Sequence, residues 1–161
     1  MYRVLFVCSG NTCRSPMAEQ VLRRELAAAG VAAEVGSAGL RPEVLGAPAD
    51  PRARQVLEAH GYGAEHAVRR FEPGMFGHYD LVVALDSGHQ WVLRHLAPDG
   101  GAAGQIRLLG SYDPEAGAGW DVPDPFGGDL ADYERTLALV LAAMPGLLAE
   151  VRAASGGPAV I

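Results

Sequence analysis

The stretch "YRVLFVCSGNTCRSPMAEQVLRRELAAAG", residues 2–30, decides the fold because it joins a strand pattern, a short polar loop and a helix pattern. Residues 2–7 form a β-branched and aromatic run that is typical of a buried strand. After the loop, apolar residues recur at helical spacing from Met17 to Leu26 and stop before Gly30, a common helix terminator. The stretch therefore predicts a β-strand that passes through a tight loop into an α-helix.

The same alternation continues along the chain. Strand patterns recur in "VAAEVGSAG", "DLVVAL" and "QIRLLG", and helix patterns begin near Asp50, Ser87 and Asp129. Strands that alternate with helices favour right-handed crossovers and a parallel sheet. We therefore expect one α/β domain over residues 1–154, with a central four-stranded parallel sheet and helices on both faces, followed by a weakly ordered tail at residues 155–161.

Composition excludes several classes of protein. The 161 residues are 49% hydrophobic and 20% charged, with a formal net charge of -6, as in an ordinary globular domain. A negative chain without basic runs argues against a nucleic-acid partner, and no apolar run approaches the roughly 20 residues of a membrane span. The apolar start of the chain is short and contains Arg3, unlike a secretory signal. We expect a cytoplasmic protein with no membrane partner, whose Cys8 and Cys13 are reduced.

The loop after the first strand has the residues of an anion-binding site. It lies at the carboxyl end of a parallel strand, and its N–H groups can converge on one point ahead of the helix dipole. Arg14 offers a planar fork that matches two phosphate oxygens, while Ser15 and Pro16 suit the start of the helix. Cys8 lies at the bottom of this positive cup, where the thiolate is favoured and can attack a bound phosphorus. The predicted phosphate-binding residues are Ser9, Gly10, Asn11, Thr12, Cys13, Arg14 and Ser15.

The spacing Cys-x5-Arg-Ser within "VLFVCSGNTCRSPMAE" resembles the low-molecular-weight protein tyrosine phosphatases. The resemblance extends over nearly the whole chain, through "SAG", "GYGAEHAVR", "DLVVALDSGH" and "DVPDPFGG". It implies a cysteine-dependent phosphatase that hydrolyses phosphotyrosine in phosphorylated proteins through a phosphocysteine at Cys8, with Arg14 holding the phosphate. It also implies that no metal or cofactor is required, and that phosphate and other oxyanions bind as ligands or inhibitors.

The resemblance places the proton donor in an Asp-Pro pair on a late loop, and "VPDPFGG" makes Asp124 the matching residue. Such an acid is needed to protonate the departing oxygen. Asp121 and Asp113, the latter also followed by proline, are the alternatives. The position of Asp124 just before the last helix favours it as general acid in the first step and as general base in the second.

The resemblance also indicates residues that support the loop. Asn11, Ser15, Ser37 and His66 match polar residues that, in this family, hydrogen-bond one another and hold the loop in a strained conformation. The remaining histidines lack the spacing of metal ligands. We interpret these four as structural or exposed: His60, His78, His89 and His95.

The expected substrate cleft departs from the family pattern. The predicted apolar walls are Leu40, Leu45 and Phe126, and the aromatic residue that often follows "SAG" is absent. Thr12 together with "DPFGG" also resembles the protein-arginine phosphatases, a branch of the same fold. Phosphotyrosine is the predicted substrate, and phosphoarginine is the alternative.

Two other functions are less consistent with the sequence. An arsenate reductase on this scaffold would relay through further cysteines, and the chain has none beyond Cys13. A silent phosphate-binding adaptor would be expected to have lost Cys8, Arg14 or the acid, and all three are present. Cys13 is instead a candidate redox partner of Cys8, because a neighbouring thiol can trap an oxidised cysteine as a reversible disulfide.

Overall fold

The centre of the protein is a four-stranded parallel sheet. The computed structural model describes residues 1–156, so residues 157–161 of the predicted tail lie outside the described part. The strands are β1 (Tyr2–Cys8), β2 (Ala33–Gly39), β3 (Leu81–Ala84) and β4 (Ile106–Leu108). They are arranged in the order β2-β1-β3-β4, and all three strand pairs are parallel. The predicted fold class is confirmed.

Helices connect the strands and cover the sheet. In α2, the Asp50 carboxylate accepts the Arg52 N–H and Pro51 occupies the first position, as the sequence predicts. Short 3₁₀ helices lie at Pro73–Gly77 and Leu109–Tyr112. The α-helices within residues 1–156 are α1 (Arg14–Ala29), α2 (Pro51–Ala59), α3 (Ser87–Leu96), α4 (Gly100–Ala103) and α5 (Leu130–Ala154).

The two faces of β1 contribute to different layers of the core, because successive side chains of a strand point to opposite faces. Val4 and Phe6 belong to a cluster with apolar residues of α1, α2 and α5. Leu5 and Val7 belong to a second cluster with α3 and the 3₁₀ helix at Pro73–Gly77. All four side chains are fully buried. β1 is therefore the central strand of a three-layer core.

α5 is the longest helix. Its start is fixed by a capping box, in which the Asp129 carboxylate accepts the Asp132 N–H and the Asp132 carboxylate accepts the Asp129 N–H. Among residues 1–156, it is the one helix long and apolar enough to cross a membrane by length and composition. Tyr133, Leu137 and Val140 are buried in the core cluster that includes α1 and α2. The apolar stripe of α5 is therefore part of the protein core.

The sheet brings two chain segments together at the carboxyl ends of its strands. From β1 the chain passes to β2 on one side and later to β3 on the other, so a crevice opens beyond the carboxyl ends of β1 and β3. Cys8 is the last residue of β1, and Asp86 follows β3 by two residues. The loop after β1 and the residues after β3 therefore meet in that crevice.

Candidate active site

The loop that joins β1 to α1 forms the floor of an open cavity of about 460 Å³. Five of the seven predicted phosphate-binding residues line it, whereas Asn11 and Ser15 do not and are fully buried. The walls come from residues 41–47 and 124–126. The lining residues are Cys8, Ser9, Gly10, Thr12, Cys13, Arg14, Arg41, Glu43, Val44, Ala47, Asp124 and Phe126.

Hydrogen bonds of the buried Asn11 hold the loop in its conformation. Asn11 has a φ of 57°, the left-handed region that asparagine tolerates better than most residues. Its amide donates to Ser15 Oγ and Ser37 Oγ, both at 2.9 Å, and its Oδ1 accepts the Arg69 N–H at 3.0 Å. His66 Nε2 donates to Asn11 O at 2.7 Å, because a carbonyl oxygen only accepts, and burial lowers the pKa of the His66 ring. The four predicted supporting residues therefore form one network.

Cys8 is surrounded by hydrogen-bond donors. Its side chain is 2% exposed, and Sγ lies 2.9 Å from Ser15 Oγ. The Asn11 N–H donates to Sγ at 3.3 Å. When Cys8 is deprotonated, the Ser15 hydroxyl must be the donor of their pair, because a thiolate carries no proton. Both contacts therefore stabilise negative charge on the sulfur.

The start of α1 differs from the sequence prediction. The helix begins at Arg14, and Cys13 occupies the position before it without a side-chain cap. Ser15 lies inside the first turn, where its hydroxyl contacts Cys8 and Asn11, so it does not cap the helix. An uncapped helix start leaves its first N–H groups available to an anion.

Arg14 is buried at the edge of the cavity, with a side chain that is 5% exposed. Its Nη1 donates to Asp86 Oδ2 at 2.8 Å and to Val122 O at 3.0 Å. Its Nη2 lies 3.6 Å from Asp124 Oδ2. Burial opposes the ionisation of Asp86, but the hydrogen bond from the His89 N–H and the hydrogen bond and charge of Arg14 lower the pKa of its carboxyl below the ordinary value. Asp86 therefore holds the guanidinium beside Asp124.

Asp86 and His89 are site residues whose contacts the sequence analysis missed. Asp86 caps α3 by accepting the His89 N–H at 2.8 Å. His89 Nε2 lies 2.9 Å from Ser9 Oγ and 3.4 Å from Arg14 Nη2. Burial lowers the pKa of His89 to about 4, so the ring is neutral at pH 7, and Nε2 accepts because Arg14 has only donors. The available signal was the position of "LDSGH" after a central strand.

Of the three candidate acids, Asp124 alone lines the cavity. Its side chain is 53% exposed. Asp121 instead accepts two hydrogen bonds from Ser87, from the backbone N–H at 2.9 Å and from Oγ at 2.8 Å. Asp113 accepts the indole N–H of Trp120 at 3.0 Å. The geometry therefore favours Asp124 as the acid and gives the other two carboxylates structural contacts.

Only one of the three predicted wall residues lines the cavity. Phe126 lines the cavity, but Leu40 and Leu45 do not. Leu40 directly follows β2 and packs against the apolar cluster on the α3 face of the sheet. Leu45 lies outside the cavity and is 60% exposed. Val44 and Ala47 form the apolar part of this wall instead.

Cys13 lines the cavity near Cys8, and both cysteines are free thiols. Its Sγ lies 3.5 Å from Tyr133 OH and 3.5 Å from Thr12 Oγ1. Burial raises the pKa of the Cys13 thiol. The disulfide between Cys8 and Cys13 stays a prediction.

The other histidines lie at the surface. His60 pairs with Glu134 at 2.8 Å, and His78 contacts Glu34 at 3.5 Å. His95 is also exposed. Within residues 1–156, no group of three or more His, Cys, Asp or Glu side chains could hold a metal ion.

Comparisons with known proteins identify the family of the chain. A family model described as "Low molecular weight phosphotyrosine protein phosphatase" matches residues 3–155. A low molecular weight protein-tyrosine-phosphatase of Streptomyces coelicolor is 52% identical over 154 residues, which cover 94% of each chain. The crystal structure of a protein tyrosine phosphatase from Entamoeba histolytica, with Hepes in the active site, has a TM-score of 0.90 at 26% identity. The match covers 96% of this chain and 99% of that chain.

The fold is shared with a phosphatase of another substrate class. The YwlE arginine phosphatase, in a mutant with a phosphorylated active-site serine, has a TM-score of 0.85 at 27% identity, over 93% of this chain and 95% of that chain. The family match, by contrast, is to phosphotyrosine phosphatases and spans nearly the whole chain. The chain therefore belongs to the low-molecular-weight phosphotyrosine protein phosphatase family, whose members are cysteine-dependent phosphatases.

Proposed function

We propose that the protein hydrolyses phosphotyrosine in phosphorylated proteins, with Cys8 as nucleophile, Arg14 as phosphate clamp and Asp124 as general acid. One observation carries this assignment: the three side chains line one cavity, and Arg14 Nη2 lies 3.6 Å from Asp124 Oδ2. The arginine that holds the phosphate is thus beside the carboxyl that protonates the leaving group.

In the first step, the Cys8 thiolate attacks phosphorus, an S–P bond forms, and the bond from phosphorus to the tyrosine oxygen breaks. The loop N–H groups and the Arg14 fork bind the remaining phosphate oxygens and stabilise their charge. The Ser15 hydroxyl and the Asn11 N–H, 2.9 and 3.3 Å from Sγ, stabilise the thiolate before the attack. Asp124 gives its proton to the departing tyrosine oxygen.

In the second step, the Asp124 carboxylate takes a proton from a water molecule. The water oxygen attacks phosphorus, the S–P bond breaks, and inorganic phosphate leaves with the thiolate restored. Asp124 is suited to both steps because its side chain is 53% exposed and so has access to water. No metal or other cofactor is needed for either step.

The activity is assigned to residues 1–154, and the protein to the cytoplasm. α5 ends at Ala154, which supports this boundary. Free thiols at Cys8 and Cys13 fit a reducing compartment. The formal charge of -6 favours phosphorylated proteins, phosphate and other oxyanions as ligands held locally by the loop, rather than nucleic acid or a membrane.

Hydrolysis of a small aryl phosphate by purified variants tests these roles. Cys8→Ser and Arg14→Ala should each abolish turnover, because one removes the nucleophile and the other the clamp on the phosphate oxygens. Arg14→Lys keeps the charge but loses the planar fork, and should recover little activity. Thermal unfolding controls for folding. Turnover by folded Cys8→Ser at the parent rate would contradict the mechanism.

Phosphoarginine is the second candidate substrate because of Thr12. This residue lines the cavity together with Asp124, and a hydroxyl with a carboxylate suits a polar guanidinium. Matched phosphotyrosine and phosphoarginine peptides, assayed with the parent and Thr12→Ile, separate the two. We expect the parent to prefer phosphotyrosine. A parent preference for phosphoarginine that Thr12→Ile shifts by roughly tenfold, about 1.4 kcal/mol, would support the alternative.

A further inference from the structure

Three large apolar side chains lie exposed around the mouth of the active-site cavity. Val44 is 64% exposed, Leu45 60% and Phe126 69%. Val44 and Phe126 line the cavity, and Leu45 is the next residue after Val44 in the chain but does not line it. We call these three residues the mouth patch. Exposed apolar side chains gathered around one opening indicate a contact surface.

Val44 and Leu45 of the mouth patch belong to a turn formed by residues 44–47. The Ala47 N–H donates to Val44 O at 3.3 Å, and Gly46 has a φ of 82°, which favours glycine. The Gly46 N–H donates to Val68 O, and the Val68 N–H donates to Ala47 O, both at 2.8 Å. A turn that is ordered before binding lowers the entropic cost of a contact.

Residues 41–50, which contain this turn, are hydrogen-bonded to the phosphate-binding loop at both ends. The Arg41 N–H donates to Ser9 O at 2.8 Å, and the Asp50 N–H donates to Thr12 O at 2.9 Å. These bonds fix the position of the turn relative to Cys8. Val44 and Leu45 are therefore held in a set position relative to a ligand bound by the loop.

Charge around the cavity gives little preference for acidic peptides. Apart from Cys8, the ionisable lining groups with a formal charge are Arg14, Arg41, Glu43 and Asp124, two positive and two negative. The whole chain carries a formal charge of -6, which repels acidic segments at long range. Apolar contact with the mouth patch is therefore the main way in which the mouth of the cavity can select among peptides.

We propose that the mouth patch binds a large apolar side chain that lies within two positions of the phosphorylated residue in the substrate protein. The proposal rests on the proposed function, since a residue phosphorylated in a protein must first reach Cys8. Its main chain then crosses the mouth, where a neighbouring side chain contacts Leu45 together with Val44 or Phe126. The docking surface is thus continuous with the catalytic cavity.

Matched phosphotyrosine peptides test the proposal. The peptides of each set differ only by Leu, Ser or Glu at one position, either two residues before or two residues after the phosphotyrosine. At least one Leu peptide should have a kcat/KM roughly 3- to 10-fold above its Ser partner. The difference should appear mainly in KM, because an apolar contact at the mouth is equally present before and during the reaction.

Leu45→Ser connects the preference to the mouth patch. Leu45 is exposed and lies outside the cavity, so the variant should fold and hydrolyse a small aryl phosphate at the parent rate. Its preference for the Leu peptide should fall to less than about twofold. Trp91→Ser is the matched control, because Trp91 is 62% exposed on α3 and does not line the cavity. That variant should keep the full preference.

Three results would overturn the proposal. These are equal kcat/KM for Leu and Ser peptides at both positions, full preference retained in Leu45→Ser, and a Glu peptide that is hydrolysed better than its Leu counterpart. Failure of the proposed function is distinguishable from all three. In that case the parent enzyme would not hydrolyse the small aryl phosphate, or Cys8→Ser would still do so.

Discussion

The phosphate-binding loop and the acid loop, residues 121–129, are held in opposite ways. In the phosphate-binding loop, Asn11 and Ser15 are fully buried and hydrogen-bonded to each other. In the acid loop, the Asp124 side chain is 53% exposed. That loop is anchored at its two ends, by Asp121 on Ser87 and by the Gly128 carbonyl, which accepts from Arg52 at 2.6 Å.

The difference follows from what each loop does in the proposed mechanism. An anion cradle must align several N–H groups at once, and buried hydrogen bonds provide that alignment. A general acid must place one oxygen and exchange its proton with water, so it needs exposure. Pro123 and Pro125 restrict the backbone on both sides of Asp124. Changes in the first loop should therefore reduce stability and activity together, whereas changes in the second should reduce activity alone.

The largest effect confined to activity is expected for Asp124→Ala. Hydrolysis of an aryl phosphate with a poor leaving group should slow by roughly 10²–10⁴-fold, the usual contribution of a positioned acid. The free energy of unfolding should change by no more than about 1 kcal/mol, because the side chain is 53% exposed and solvent screens its ion pair with Arg14. Steady-state kinetics and urea unfolding measure the two effects. Near-normal turnover in this variant, with a large loss in Asp121→Ala, would reassign the acid.

Asn11→Ala should reduce both activity and stability. It removes the bonds to Ser15, Ser37 and Arg69, for an expected loss of about 3 kcal/mol and about 10 °C in Tm. Turnover should fall roughly 10²-fold as the loop loses its geometry. Asn11→Gly is the control, because it removes the same hydrogen bonds but glycine adopts a positive φ without strain. It should therefore be about 1 kcal/mol more stable than Asn11→Ala. Unchanged stability in both variants would contradict the expectation that changes in the phosphate-binding loop reduce stability as well as activity.

Asp121→Ala tests whether the anchor of the acid loop positions Asp124. Releasing the loop from Ser87 should lower kcat roughly tenfold for a poor leaving group and much less for a good one, which needs no protonation. KM should hardly change, because Asp121 does not line the cavity.

Asp113→Ala is the matched control for Asp121→Ala. Asp113 also accepts one backbone N–H, from Glu115, and one side-chain donor, from Trp120, but it does not line the cavity or contact the acid at position 124. This variant should show no dependence on the leaving group. An equal loss for good and poor leaving groups in Asp121→Ala would show that the anchor serves general stability and does not position the acid.

The smallest effect on basal turnover is expected for Cys13→Ser, at most about threefold, since serine can keep a hydrogen bond to Tyr133. In the predicted reaction, peroxide would oxidise the Cys8 thiolate to a sulfenic acid, and the Cys13 thiol would condense with it to form a disulfide and water. Thiol reductant should therefore restore the peroxide-treated parent and restore Cys13→Ser much less. Equal recovery of the two proteins would leave Cys13 with a packing role.

Much of the fold and of the catalytic centre could be predicted because the relevant signals are local. The strand, loop and helix of residues 2–30 follow one another directly, so periodicity and a glycine stop suffice. Cys8 and Arg14 are separated by five residues of a single loop, so their presence at one cavity depends on short-range chain geometry. The identification of Asp124, Ser37 and His66, by contrast, required the family resemblance, because nothing in their local sequence links them to that loop.

The sequence by itself determined the parallel α/β fold and predicted the anion-binding loop and the nucleophile, since these depend on periodicity and on neighbours in the chain. Only the tertiary structure decided that His89 and Asp86 contact the loop, because the pairing of β1 with β3 brings together residues about 75 positions apart. It also decided that Val44 rather than Leu40 lines the cavity. The direction of a side chain after β2 depends on hydrogen bonds to distant partners, from Leu40 to Cys8 and from Gly46 to Val68, which local sequence patterns do not encode.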